Sequence, residues 1–239
     1  MRFRFFSGST RQHSKTFRWK GTYGDNMDDR RTDRLELNVL AEAPPTVPAE
    51  YKDSKFVFLA NTTPALQNQL LEQIASPAFV AADTMNCWIE GQLGDLKLLL
   101  KKIDCLIINE EEARLLAGEF NLIEAGEKVL NMGPSVVIIK KGESGSIMCS
   151  AGGERFILPA YPATEVKDPT GAGDGFAGGV MGYLAQCDKT GFESLKTAIG
   201  YGTVIASFTI ADFSLQGLAA AKKNDIESRF ETLKKLTSF

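Results

Sequence analysis

Two hydrophobic rhythms divide this chain. Over the first forty residues apolar and polar positions alternate. Phe17 and Trp19 stand against Arg18 and Lys20, and Leu35, Leu37 and Val39 against Glu36 and Asn38. A period of two marks strands with one covered face. Gly21, Gly24, Asp25 and Asn26 supply turn residues between the two runs. The pattern predicts a small β-sheet, followed by a linker at Ala43-Pro-Pro-Thr-Val-Pro48. From Lys55 onward the rhythm changes to short continuous apolar runs at 56–60, 79–82, 105–108 and 136–139. Helix-length segments at 64–75, 94–102, 110–117 and 122–131 fall between them. A fifth strand is expected at 145–149, an extended segment at 155–159, and closing helices near 174–186, 192–208 and 215–236. Strands apolar throughout, alternating with helices, predict a mostly parallel sheet covered on both faces, an α/β fold in three layers. The expected division is 1–48 for the small β unit and linker and 49–239 for the α/β domain.

Composition agrees with a packed domain. The 239 residues are 44% hydrophobic and 24% charged, enough for a sizeable core. The net charge of −3 gives no general case for nucleic acid. Residues 1–34 carry nine Arg and Lys against four Asp and Glu, net +5, so the remainder is −8. Cys87, Cys105, Cys149 and Cys187 show no metal-ligand spacing, which suits a reducing, cytoplasmic setting. No apolar run reaches the ~18 residues of a membrane span. His13 is the only histidine, which excludes mechanisms needing two.

The chemistry concentrates in Asp168-Pro-Thr-Gly-Ala-Gly-Asp174-Gly-Phe-Ala-Gly-Gly179. A glycine turn opening a helix presents unpaired N–H groups and the positive end of the dipole, a ready anion site. Gly171 and Gly173 remove side chains that would keep an anion from the backbone. Asp174, in the first turn, is placed to take a proton from a hydroxyl that attacks a bound phosphate. The plain alternative is an Asp stabilising the dipole. Ligands of open α/β sheets bind beyond the carboxyl ends of the strands. Asp83, Asn109 and Lys140 each fall at such an end, so distant positions converge on one crevice. The glycine spacing is not the dinucleotide Gly-x-Gly-x-x-Gly with a later acidic strand end, and no Gly-Lys-Ser/Thr closes the loop as in a Walker A motif.

The signature string resembles the C-terminal motif of the ribokinase/PfkB family of carbohydrate and nucleoside kinases. Phe17-Arg-Trp19, Asp83-Thr-Met-Asn86, Asn109-Glu-Glu-Glu112 and Lys140-Lys-Gly-Glu-Ser-Gly145 follow in family order. The resemblance implies a ribokinase-like fold with a β lid. It also implies ATP-dependent phosphoryl transfer to a hydroxyl of a sugar or nucleoside. Asp174 would be the catalytic base, and Gly171, Ala172 and Gly173 the anion hole. Asn109, Lys140, Gly142, Gly145 and Thr170 would meet the nucleotide. Glu112 would organise hydrated Mg²⁺, and Asp168 would bind a monovalent cation such as K⁺ or serve turn N–H groups. Phe17, Trp19, Asp83 and Asn86 are the acceptor-side candidates, and residues 201–208 fall where relatives place the adenine pocket, though core packing is the default for so apolar a helix. A homodimer through the lid is a further expectation, with no nucleic acid or membrane partner. The resemblance begins near Lys15, inside the lid. The chain is therefore expected to lack the N-terminal part of the family domain, and nucleotide binding without efficient transfer is the alternative expectation.

Overall fold

The computed structural model describes residues 13–24, 30–42 and 45–238. Strands β1 (Arg18–Tyr23) and β2 (Arg30–Glu36) form an antiparallel hairpin in which Trp19 pairs with Leu35. The register shifts at Lys20/Gly21, where the Trp19 ring covers Gly21; a Cβ there would lie 2.3 Å from the ring. The second predicted strand is shorter than expected. After Glu36 the chain turns into a 3-10 helix, Asn38–Ala41, so Leu37 and Val39 are not strand residues. Asn38 donates to the Thr16 carbonyl (2.8 Å) and the Val39 amide to Lys15 (3.1 Å), which closes the base of the hairpin. The expected strand character of 1–12 and the turn at Asp25 and Asn26 lie outside the described residues.

The main sheet runs β3 (Phe56–Leu59), β4 (Phe79–Ala82), β5 (Cys105–Asn109), β6 (Val136–Lys140), β7 (Ser146–Ser150) and β8 (Arg155–Leu158), in chain order across the sheet. The first four are parallel; β7 and β8 return antiparallel. Each parallel crossover moves one strand in the same direction, and right-handed connections then place all their helices on one face. These are α1 (Pro64–Leu71), α2 (Asn86–Gly91), α3 (Leu93–Leu100), α4 (Glu110–Ala117) and α5 (Leu122–Leu130). The other face is covered by α6 (Ala172–Cys187), α7 (Phe192–Thr209), α8 (Gln216–Ala220) and α9 (Lys223–Thr237).

Side-chain alternation splits the core accordingly. Val80, Ala82, Leu106, Ile108, Val137 and Ile139 pack with α3, α4 and α5. Phe79, Ala81, Cys105, Ile107, Val136 and Ile138 pack with α6, α7 and α9. The two long helices touch through Gly179 and Gly202. A Cβ on Gly202 would lie 2.7 Å from the Phe176 carbonyl oxygen, closer than packed atoms allow.

Three further differences from the expected elements concern helices. The first helix stops at Leu71 instead of 75, because Gln73 and Ile74 bond three residues back and Lys52 takes the Ala75 amide. Helix α2 was not expected; it is six residues long and Met85 offers it no side-chain cap. The segment 215–236 is two helices. Ala221 is extended between them, and Asp225 reaches back to the Lys222 amide to start the second.

Candidate active site

The strand alternation that divides the core also aims the polar strand ends. Residues 79 and 81, 105 and 107, and 136 and 138 face the α6 layer. Asp83, Asn109 and Lys140 continue those three stripes past the apolar part of the sheet. Asn109 and Lys140 are direct register partners, and Asp83 follows β4 on the far side of β5.

Helix α6 opens toward the same end. Gly171 is its N-cap, at φ +83°, a left-handed conformation that glycine alone takes without strain. The Gly175 amide starts the helical ladder on the Gly171 carbonyl (2.8 Å). Ala172, expected among the anion-binding amides, spends its N–H on the Pro169 carbonyl (3.1 Å). The amides of Gly171, Gly173 and Asp174 have no acceptor among the described residues. Asp174 is exposed and makes no hydrogen bond or ion pair with a described group. A Cβ on Gly173 would lie 2.9 Å from Lys140 Nζ, so the ammonium rests against the first turn of the helix. Thr209, 2% exposed at the end of α7, supports the turn from beneath; a Cβ on Gly175 would lie 2.5 Å from its hydroxyl.

Asp83 is 8% exposed, and its Oδ1 has no hydrogen-bond partner. Burial pushes its carboxyl up to about 7; the Lys140 ammonium opposes this, while Asp174 and Glu112 reinforce it. Thr84 Oγ1 and Asn86 Oδ1 beside it in sequence are also buried without partners. Gln67, fully buried, donates through Nε2 to the carbonyls of Leu59, Ala60 and Asp83, which ties the ends of β3 and β4 together. Asn109 and Glu112 form a reciprocal capping box. Asn109 Oδ1 accepts from the Glu112 amide and Glu112 Oε2 from the Asn109 amide, both at 2.8 Å.

Asp168 Oδ1 accepts from the Thr170 amide (2.9 Å). Burial raises this carboxyl, but hydrogen bonds from the Thr170 hydroxyl and from the Thr170 and Ser214 amides outweigh it and hold the group below its usual range. Its oxygens therefore serve turn N–H groups. The Thr170 hydroxyl also lies 3.1 Å from that of Tyr23, so the hairpin reaches the site by its Tyr23 end. Phe17 precedes β1 and Trp19 is laid over Gly21, roughly 13–20 Å along the strand from Tyr23 at ~3.3 Å per residue. Among the described residues, the hydrogen bond from the hairpin to the glycine turn comes from Tyr23. Gly142 and Gly145 form the tight β6–β7 connection. Gly145, at φ +87°, has the Leu158 carbonyl oxygen 2.0 Å from where a Cβ would be. In 201–208 core packing prevails: Tyr201 stacks between Tyr183 and Phe230 with centroids 5.0 and 4.1 Å apart. Tyr23, Gln67 and Thr209 were missed by sequence reasoning, since only tertiary contact brings them in.

The donor set suits a divalent cation that arrives with phosphate. The charges of Glu112, Asp174 and the Lys140 ammonium all act on Asp83. No cluster of three or more ligating side chains exists among the described residues, and Mg²⁺, which keeps its waters, needs none.

Fold and site together define a three-layer α/β/α protein with an amide-lined helix mouth at the carboxyl edge of its parallel strands. That is the ribokinase-type kinase fold. A solved nucleoside kinase of Methanocaldococcus jannaschii superposes with a TM-score of 0.71 at 17% identity, over 92% of this chain and 70% of that one. The profile described as pfkB family carbohydrate kinase matches residues 29–221, and the chain belongs to that family. A cytidine kinase of Thermococcus kodakarensis is 29% identical over 163 residues, 64% of this chain and 58% of that protein. An uncharacterized sugar kinase of Archaeoglobus fulgidus is 32% identical over 143 residues, 57% and 55% of the two chains. The chain thus spans under two thirds of the length of these curated relatives. No described helix is long and apolar enough to cross a membrane.

Proposed function

We propose that this chain transfers the terminal phosphoryl group of ATP to a hydroxyl of a sugar or nucleoside. The observation that carries the reading is the exposed, unpartnered Asp174 carboxylate beside the unpaired amides of Gly171, Gly173 and Asp174. Such amides are preorganised for charge that gathers on the transferred oxygens. A carboxylate within reach of the acceptor hydroxyl takes its proton as the oxygen attacks, and removing that base costs about 10²–10⁴ in rate. Asn109, Lys140, Gly142, Gly145 and Thr170 take the nucleotide, the first four from the ends of β5 and β6 and the β6–β7 turn. Asn109 and Glu112 would hold hydrated Mg²⁺, whose charge would offset that of the phosphates. With its carboxylate committed to the Thr170 and Ser214 amides, Asp168 acts by shaping the glycine turn.

The acceptor class is supported by the names of relatives, a cytidine kinase, a nucleoside kinase and a sugar kinase. A second reading is nucleotide binding without efficient transfer: the hydrogen bond that joins the hairpin to the glycine turn is made by Tyr23, and among the described residues none is seen from Phe17 or Trp19 to that turn. A sugar and nucleoside panel incubated with Mg-ATP separates the two. ADP release together with a phosphorylated product is expected from at least one acceptor. Mg-ATP binding with no product from any acceptor would establish the second reading instead.

A further inference from the structure

Lys140 is the one charged residue of its strand. The rest of β6 is four buried aliphatic residues, and packing there calls for no ammonium. Its Nζ lies against Gly173, at the end of α6 where dipole and bare amides already place positive charge. No described carboxylate forms an ion pair with it. A flexible four-carbon stem would carry the ammonium away from such a place unless a counter-charge held it. One is at hand. Asp83 sits on the same face of the sheet, one strand beyond β5, with a buried carboxyl whose Oδ1 has no hydrogen bond. Among the charges acting on Asp83, Lys140 is the strongest.

We propose that Asp83 positions the Lys140 ammonium over Gly173, where the ammonium and the helix-mouth amides together take the terminal phosphate of the nucleotide. The inference rests on the phosphoryl-transfer reading. It adds which phosphate Lys140 serves and what holds the side chain there. The geometry explains both residues at once. A buried carboxyl facing Asp174 and Glu112 is costly unless a cation shares the crevice. An ammonium at a helix mouth is misplaced unless an anion joins it.

The test is calorimetric binding of ATP and of ADP, each with Mg²⁺, to the full chain and four variants, with melting curves to verify folding. Lys140→Met is expected to weaken ATP about tenfold, as loss of one charge-assisted contact does, and ADP less than about twofold. Lys140→Arg keeps most of the ATP affinity. Asp83→Asn weakens ATP in the same direction, and adding it to Lys140→Met costs nothing further, since its effect passes through the ammonium. Equal loss of ATP and ADP in Lys140→Met, or no loss, overturns the assignment of Lys140. Additive losses in the double variant overturn the positioning role of Asp83 and leave it a contact of its own. If the unaltered chain binds neither nucleotide, the phosphoryl-transfer reading falls and this inference with it. If it binds ATP and the lysine variants do not differ from it, only this inference falls.

Discussion

At the scale of single residues, the site is a contest between charge and burial, and Asp83 is where it is sharpest. Its folded carboxyl is raised to about 7 from the ordinary 3.8, chiefly by burial. A raised carboxyl binds its proton more tightly in the folded state, so its stabilisation is complete below about pH 4 and is lost as pH rises through about 7. Unfolding titrations between pH 4 and 7 are therefore expected to show stability falling with pH, and Asp83→Asn to flatten that slope; an unchanged slope would assign it to other groups. Asn109 invites a different measurement. Its Oδ1 caps α4, and Asn109→Ala should lower stability by about 1 kcal/mol, the usual cost of a lost N-cap, read from urea midpoints. The sequence made the turn at Gly171 and the helix start at Asp174 legible, because glycines before an apolar, helix-length run mark such a start. It did not reveal that Ala172 spends its amide locally, since that depends on how tightly the turn closes on Pro169. Nor did it reveal Gln67, an ordinary helix residue until it meets three carbonyls of two strand ends.

At the scale of elements, the contact between α6 and α7 sets the orientation of the helix mouth. Gly179 and Gly202 let the two backbones touch, and Gly202→Val inserts atoms where the Phe176 carbonyl and the Val180 side chain already stand. Overpacking of this kind costs about 1–3 kcal/mol, visible as an earlier denaturation midpoint. The hairpin is coupled more lightly. Tyr23→Phe removes the hydroxyl that meets Thr170 and is expected to speed hydrogen exchange in Arg18–Tyr23 while the main sheet keeps its protection. Equal protection in both proteins would show that the hairpin is held elsewhere. Strand positions were legible because four apolar runs leave little choice. Helix ends were less so. The end of α1 depends on the Lys52 carbonyl that captures the Ala75 amide, and α2 has no side-chain cap to announce it.

At the scale of the molecule, one topological fact produces the site. Parallel strands laid down in chain order present all their carboxyl ends at one edge, and the same-face parity of residues 83, 109 and 140 turns three separate motifs toward the mouth of α6. The convergence was readable in advance from strand ends alone. The place of the hairpin was not, because the Tyr23 contact spans 147 positions of chain and no local pattern encodes it. The most direct test of the account compares the unaltered chain with Asp174→Asn, using the best acceptor of the sugar and nucleoside panel and measuring ADP release beside ATP affinity. The account predicts turnover lower by about 10²–10⁴ with ATP affinity within about twofold. Undiminished turnover in Asp174→Asn would contradict it.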